Sequence, residues 1–127
     1  MSWNAALWIA LGGAAGTLLR WLVGLGVAHE RLPDFPWSTL LVNVAGSFAL
    51  GLVAEALAER RLFGVEARLV LGTGVLGGFT TYSTFNLETL RLLERAEHGR
   101  AALYVAATVG ASLLAGLAGL AAGRALR

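Results

Sequence analysis

The chain has 127 residues and a mean hydropathy of +0.68, with 57% hydrophobic and only 14% charged residues. A soluble domain is about 25% charged, and a chain of this size cannot bury so much apolar surface, so we expect one membrane domain over residues 1–127 in a lipid bilayer. The lack of cysteine excludes disulfides and thiolate metal sites, and a net charge of only +2, with arginine as the sole cation, favours interfacial anchoring over nucleic-acid binding.

Four apolar segments follow one another along the chain, each near the roughly 20 residues that cross the hydrocarbon core as a helix. They cover about residues 5–28, 37–58, 67–93 and 101–122. The connecting stretches are too short to fold into a soluble module, so any function has to be built from the spans. We therefore predict an all-α, multi-pass membrane protein with four transmembrane helices.

In the first span, Arg20 lies well inside the apolar stretch. A charge at such depth costs about 2.5–3.5 kcal/mol on insertion scales and usually faces a cavity or the bundle interior. The arginine either extends to the nearer membrane surface or forms a vestibule that attracts anions, and we favour the vestibule. The pattern Gly12-x-x-x-Gly16 in this span, and Gly119-x-x-x-Gly123 in the fourth, allows helix backbones to approach closely.

In the second span, Asn43 interrupts an otherwise apolar run. An amide in hydrocarbon needs hydrogen-bond partners. Asn43 either bonds to a neighbouring helix and holds the bundle together, or it presents its NH₂ group to a passing anion. This segment is compatible with both roles.

The third span contains a run of glycine, hydroxyl and aromatic residues from Gly77 to Asn86, where a membrane helix should have its middle. Such a run makes a poor helix interior, because glycine is entropically costly and hydroxyls compete for the backbone. Backbone that leaves the helix at membrane depth is tolerated only when it is buried in protein or lines a watery cavity. We therefore predict a broken third helix that serves a ligand.

Further polar groups follow the break. Glu88 is an ionisable residue inside the third span, and it is either a functional group or a partner of an arginine near the helix end. Tyr104, Thr108 and Ser112 recur at every fourth position of the fourth span, which places three hydroxyls along one helix face. Single hydroxyls usually bond to their own helix, but a track of three favours a polar pathway.

The arginines are almost evenly divided between the two sides of a four-span bundle. Five lie on the side of the N-terminus, and four lie on the opposite side: Arg60, Arg61, Arg68, Arg124 and Arg127, against Arg31, Arg91, Arg95 and Arg100. Since the bias that normally sets orientation is nearly absent, the chain either inserts both ways and forms an antiparallel two-fold dimer, or takes one weakly determined orientation. We favour dual insertion.

The embedded groups are mostly hydrogen-bond donors: the Asn43 amide, the hydroxyls of the third and fourth spans, and the Arg20 guanidinium. Donors replace the hydration of an anion, and aromatic edges add positive potential. The sequence therefore favours an anion pathway. It contains no nucleophile–base pair, phosphate loop or metal-ligand spacing, so we expect no enzyme activity.

Three motifs follow one another along the chain: GGAAGTLLRW at residues 12–21, NVAGSFALG at 43–51 and GVLGGFTTYSTF at 74–85. In this order they resemble the motifs of the Fluc (CrcB) family of fluoride channels. The resemblance covers nearly the whole chain. It implies passive fluoride export across the cytoplasmic (inner) membrane by an antiparallel, dual-topology homodimer with a pair of pores.

The resemblance also implies roles for individual residues. The backbone carbonyls of Gly77 and Thr80 from both subunits would hold a structural Na⁺ at the dimer centre. The fluoride pathway would comprise the vestibule cation, the amide, the aromatic edges, the hydroxyls and the acid: Arg20, Asn43, Tyr82, Phe85, Ser83, Thr84, Tyr104, Thr108, Ser112 and Glu88.

This chain departs from the family at Tyr82, where a phenylalanine is usual. Tyrosine keeps the ring edges and adds a phenol that needs a partner or donates to fluoride itself. The competing class of similar size and balanced charge is the small multidrug-resistance exporters, which use a buried glutamate in the first helix. The first span here has Arg20 and no acid, which argues against a cation exporter.

Overall fold

The computed structural model describes residues 2–28 and 35–127, and the chain there is mostly helical. The elements in chain order are α1 (Trp3–Ala28), α2 (Trp37–Ala56), β1 (Arg61–Leu62), β2 (Val65–Glu66), a π-helical segment (Arg68–Leu76, hereafter the π segment), α3 (Gly77–Phe79), α4 (Tyr82–Glu94) and α5 (His98–Ala125). Arg31, which entered the charge count, lies outside the described residues.

Three of the described helices, α1, α2 and α5, are long and apolar enough to cross a membrane. α5 extends beyond its apolar stretch, from His98 to Ala125, because polar residues that end an apolar run still take helical conformation. α2 instead ends at Ala56, slightly before its apolar stretch does. The described chain agrees with the prediction of a helical, multi-pass membrane protein.

A short hairpin connects α2 to the π segment and is the one strand pair in the described chain. β1 and β2 pair antiparallel through a turn in which Phe63 (φ 55°) and Gly64 (φ 77°) both take left-handed conformation, which glycine adopts at little cost. The Phe63 ring stacks on Trp8 at a centroid distance of 3.8 Å, and the Asn4 side-chain amide donates to the Phe63 carbonyl at 3.0 Å. The connection is therefore attached to the start of α1.

The two small-x-x-x-small patterns lie at the closest helix contacts. In α1, a Cβ at Gly12 would lie 2.8 Å from the Val70 carbonyl oxygen, and one at Gly16 would overlap the Val75 carbonyl. In α5, a Cβ at Gly119 would overlap the Phe48 carbonyl of α2. Glycine thus lets α1 pack on the π segment and α5 pack on α2 at backbone contact.

Buried apolar side chains gather where α4 meets α5. Phe85 and Leu92 of α4 pack with Ala101 and Tyr104 of α5, and Phe35 covers this cluster. Many large apolar side chains instead point outward along α1 and α5, which is the surface expected of a protein that faces lipid. The cluster fixes α4 against α5 directly after the interruption of the third span.

Candidate functional site

The interruption in the third span consists of two extended residues. Thr80 (φ −82°, ψ 160°) and Thr81 (φ −154°, ψ 120°) separate α3 from α4. Gly77 and Gly78, which the sequence suggested as helix breakers, remain helical in α3. A Cβ at Gly78 would overlap the Gly13 carbonyl of α1, so this glycine is needed for packing.

Asn43 of α2 bonds to the backbone of the interruption at both of its amide atoms. Its Nδ2 donates to the Thr81 carbonyl at 3.0 Å, and its Oδ1 accepts from the Thr81 N–H at 2.8 Å. This reciprocal pair of hydrogen bonds identifies which atom of the Asn43 amide is the nitrogen. The second N–H of that nitrogen does not bond to Thr81. Gly46, one helical turn later, allows the approach, because a Cβ there would overlap Thr80 Cγ2.

The Thr81 side chain caps α4. Its Oγ1 accepts from the Thr84 N–H at 3.2 Å and donates to the Thr84 hydroxyl at 3.1 Å. The Ser83 hydroxyl lies 3.4 Å from the same oxygen. A threonine at this position satisfies an amide that the start of a helix leaves without an intrahelical partner.

One cavity of about 350 Å³ lies beside the interruption, between α2, α4 and α5, and we name it the hydroxyl cavity. Its polar lining carries no formal charge and consists of Asn43, Ser47, Thr80, Thr81, Tyr82, Thr108 and Ser112, with Gly77 and Phe85 beside them. The buried hydroxyl oxygens of Thr108 and Ser112 have no hydrogen-bond partner among the described residues. Two donors are therefore available to a ligand.

The aromatic residues of this cavity differ in exposure. Tyr82 is 77% exposed, whereas Phe85 is buried, and their ring centroids lie 5.8 Å apart. The Phe85 ring also meets Tyr104 edge to face at 5.1 Å. The packing holds the Phe85 ring in place, while the Tyr82 ring projects from the chain.

A second cavity of about 340 Å³ lies on the other side of Thr81, and we name it the arginine cavity. It is lined by Arg20 and Glu88 together with polar and apolar neighbours: Thr17, Trp21, Ser38, Thr39, Val42, Thr81 and Thr84. Within the described ranges no carboxylate lies within salt-bridge distance of Arg20. Thr81, which is 7% exposed, lines both cavities.

Two buried hydroxyls hold the Glu88 carboxylate. Thr39 Oγ1 donates to Oε1 at 3.0 Å, and the Tyr104 phenol donates to Oε2 at 2.6 Å. Tyr104 is fully buried. Both carboxylate oxygens accept a hydrogen bond, so the side chain has a defined orientation at the edge of the arginine cavity.

The structure thus divides the predicted pathway residues into groups. Asn43, Tyr82, Phe85, Thr108 and Ser112 line the hydroxyl cavity, while Arg20, Thr84 and Glu88 line the arginine cavity. Tyr104 shares a helix face with Thr108 but bonds to Glu88, and Ser83 lines neither cavity. The predicted metal ligands Gly77 and Thr80 both lie at the hydroxyl cavity.

Sequence reasoning missed Thr39, and it counted Thr81 only as one of the embedded hydroxyls, without its capping role. Thr81 was part of the hydroxyl run, and its position before the helical stretch from Tyr82 is a capping signal. Thr39 carried no comparable signal, because a threonine near a helix start most often satisfies local backbone. Its role follows only from the proximity of α2 to α4.

Comparisons with known proteins place the chain in a family. Residues 7–120 match the sequence profile of the family described as "CrcB-like protein, Camphor Resistance (CrcB)". Proteins named "Fluoride-specific ion channel FluC" are similar to it along their length. The one from Rhizobium leguminosarum bv. trifolii is 50% identical over 95% of this chain and 97% of its own, and that from Agrobacterium fabrum is 49% identical over 95% and 96%.

A more distant relative with the same name, from Nitrobacter winogradskyi, is 43% identical over 94% of this chain and 95% of its own. The relatives are named as ion channels, a function that is not enzymatic, in agreement with the expectation of no enzyme activity. The resemblance identified from the motifs is thereby confirmed. The chain belongs to the CrcB family.

Proposed function

We propose that this protein is a fluoride channel that lets fluoride leave the cell passively through the cytoplasmic membrane. The observation that carries the proposal is the pair of buried, unpartnered hydroxyls of Thr108 and Ser112 in a cavity without formal charge. A small, strongly hydrated anion needs close donors that replace its water and bind it weakly enough for exit. The relatives are named for the same ion.

The pathway begins at the arginine cavity and passes Thr81 into the hydroxyl cavity. Arg20 raises the local anion concentration there, since no carboxylate of the described chain pairs with it. Glu88 lies at the same entrance, and its charge is partly satisfied by Thr39 and Tyr104. The free N–H of Asn43 and the ring edges of Phe85 and Tyr82 then meet the anion beyond Thr81.

The functional unit is an antiparallel homodimer of four-span chains with a pair of pores. Two observations support this assembly: the nearly equal arginine counts on both sides of the bundle, and the 77% exposure of Tyr82 at the hydroxyl cavity. A bulky aromatic at the edge of a cavity suits contact with a second copy. The third span then consists of the π segment, α3 and α4, with the interruption in the middle.

A structural Na⁺ at the dimer centre fits the chemistry of the donor set. The carbonyl oxygens of Gly77 and Thr80 accept no hydrogen bond from any described residue. No cluster of acids or histidines that suits a metal occurs in the described chain. Neutral backbone carbonyls from an unwound helix are the ligands that membrane proteins use for Na⁺.

The test is ion efflux from liposomes that contain the purified protein. We expect release of fluoride, and not of chloride, once a potassium ionophore clamps the potential. Phe85→Ile should reduce the fluoride rate with the oligomer intact, whereas Phe48→Ile, on a side chain that lines neither cavity, should leave it unchanged. No fluoride efflux from the natural protein would disprove the proposal.

Orientation is tested separately. Since the chain has no cysteine, Glu59→Cys gives a single label site without background. A membrane-impermeant reagent should label about half of the molecules from each side of the membrane if the chain inserts both ways. Labelling from one side alone would exclude the antiparallel dimer and leave fluoride conduction to be judged by efflux.

A further inference from the structure

The interruption redirects two backbone amides from their helical acceptors. In a continuous α-helix the Thr81 N–H would bond to the Gly77 carbonyl, and the Thr84 N–H would bond to the Thr80 carbonyl. Instead the Thr81 N–H donates to Asn43 Oδ1 at 2.8 Å, and the Thr84 N–H donates to Thr81 Oγ1 at 3.2 Å. Two side chains have each replaced one carbonyl as acceptor.

The carbonyls whose helical donors these two side chains have taken are those of Gly77 and Thr80. Neither oxygen accepts another hydrogen bond within the described residues, and both residues lie at the hydroxyl cavity. A closed helix would regain the hydrogen bonds to both carbonyls, so the two oxygens stay free only if the surrounding structure holds the interruption open. Asn43 does so from both sides of Thr81, because its Nδ2 also bonds to the Thr81 carbonyl at 3.0 Å.

We propose that Asn43 and Thr81 are positioning residues for the cation site: by accepting these two amides, they keep the carbonyls of Gly77 and Thr80 free to bind Na⁺. The inference rests on the structural Na⁺ of the proposed function. Asn43 then has two roles, since it donates to the anion and also holds the Thr81 amide. The Thr81 side chain acts on the cation site without contacting the cation. If either acceptor is removed, the amide that it held can bond to its helical carbonyl again, and that carbonyl is no longer free.

The variants remove each acceptor in turn. Asn43→Leu removes the amide with similar volume. Thr81→Val removes the hydroxyl with the same shape, while Thr81→Ser keeps it and is its matched control. Thr89→Val is the control, because the Thr89 hydroxyl donates to the Phe85 carbonyl of its own helix at 2.8 Å and takes no part in the interruption.

The measurement is thermal unfolding of the full-length protein in detergent, in NaCl and in KCl at equal concentration. A cation that binds only the folded state raises the midpoint temperature, so the natural protein, Thr81→Ser and Thr89→Val should melt higher in NaCl. Asn43→Leu and Thr81→Val should lose this difference between the salts. A merely structural role would lower their midpoints equally in both salts and leave the difference intact, and that result would overturn the inference.

Efflux from the same preparations separates this inference from fluoride conduction. A natural protein that conducts fluoride but melts alike in both salts would overturn the cation site and this inference, and conduction would stand. A natural protein that melts higher in NaCl but conducts no fluoride would overturn the channel and leave the positioning role supported. If Asn43→Leu fails to fold, the comparison of Thr81→Val with Thr81→Ser decides alone.

Discussion

The arginine cavity and the hydroxyl cavity are nearly equal in volume, about 340 and 350 Å³, and share Thr81 as a wall. They differ in charge. Arg20 and Glu88 line only the first, whereas the second offers an amide and hydroxyls. Charge attracts an ion from a distance, while neutral donors replace its hydration at contact, so the two cavities suit successive steps of one passage.

The two cavities also differ in whether their polar groups already have hydrogen-bond partners. The carboxylate of the arginine cavity is satisfied by Thr39 and Tyr104, so its orientation is set before any ion arrives. In the hydroxyl cavity, Thr108 and Ser112 keep unpartnered oxygens. The Glu88 carboxylate is thus held by the protein's own side chains, whereas free hydrogen-bonding capacity for a ligand lies in the neutral cavity.

The largest effect is expected from emptying the hydroxyl cavity of its free donors. Thr108→Val combined with Ser112→Ala should slow fluoride efflux about tenfold or more, because each lost hydrogen bond to a desolvated anion costs on the order of 1–3 kcal/mol. Efflux from liposomes measures the rate. Thr89→Val is the matched control, and an unchanged rate in the double variant would remove the hydroxyl cavity from the pathway.

The next effect tests the charge of the arginine cavity. Arg20→Gln should lower efflux several-fold at low ionic strength and much less at high salt, since salt screens long-range attraction. Arg124→Gln, at an exposed arginine that pairs with Glu55 at 3.4 Å, is the control and should have little effect. A loss of equal size at all salt concentrations would show that Arg20 acts by contact and not by attraction.

A smaller effect is expected when Glu88 loses one of its two donors. Tyr104→Phe keeps the ring that packs against Phe85 but removes the 2.6 Å hydrogen bond. We expect a loss of stability of about 1–3 kcal/mol, seen in thermal unfolding, because a carboxylate oxygen is left unsatisfied. Thr39→Val should act in the same direction, and wild-type stability in both variants would contradict the described hydrogen bonds.

The smallest effect concerns the one departure from the family motif. Tyr82→Phe keeps the ring edges at the hydroxyl cavity, and the Tyr82 phenol makes no hydrogen bond to the described chain. Fluoride efflux should therefore change by less than about a factor of two, given that no contact of the chain is lost. A large loss of fluoride efflux would show that the Tyr82 phenol itself donates to the ion. The donors of the hydroxyl cavity would then include this group as well as the buried hydroxyls of Thr108 and Ser112.

The sequence predicted the interruption but placed it too broadly. Glycine is a poor helix former in general, so Gly77 and Gly78 looked like helix breakers, yet both stay helical, and α1 packs against Gly78 at backbone distance. The extended residues are Thr80 and Thr81, and the amide and carbonyl groups of Thr81 find their partner on another helix. Local helix propensity gives no information about a partner on another helix. The sequence therefore did not predict at which residues the helix is interrupted.

The sequence alone determined that the chain lies in a lipid bilayer, which apolar segments form helices and which family the chain belongs to. Hydropathy, length and motif order are properties of the chain itself. Only the tertiary structure decided which polar residues share a cavity. Tyr104 and Thr108 lie one helical turn apart, but one bonds to Glu88 and the other lines the hydroxyl cavity. Helix spacing shows which side chains share a face, whereas the neighbouring helix determines what each of them meets.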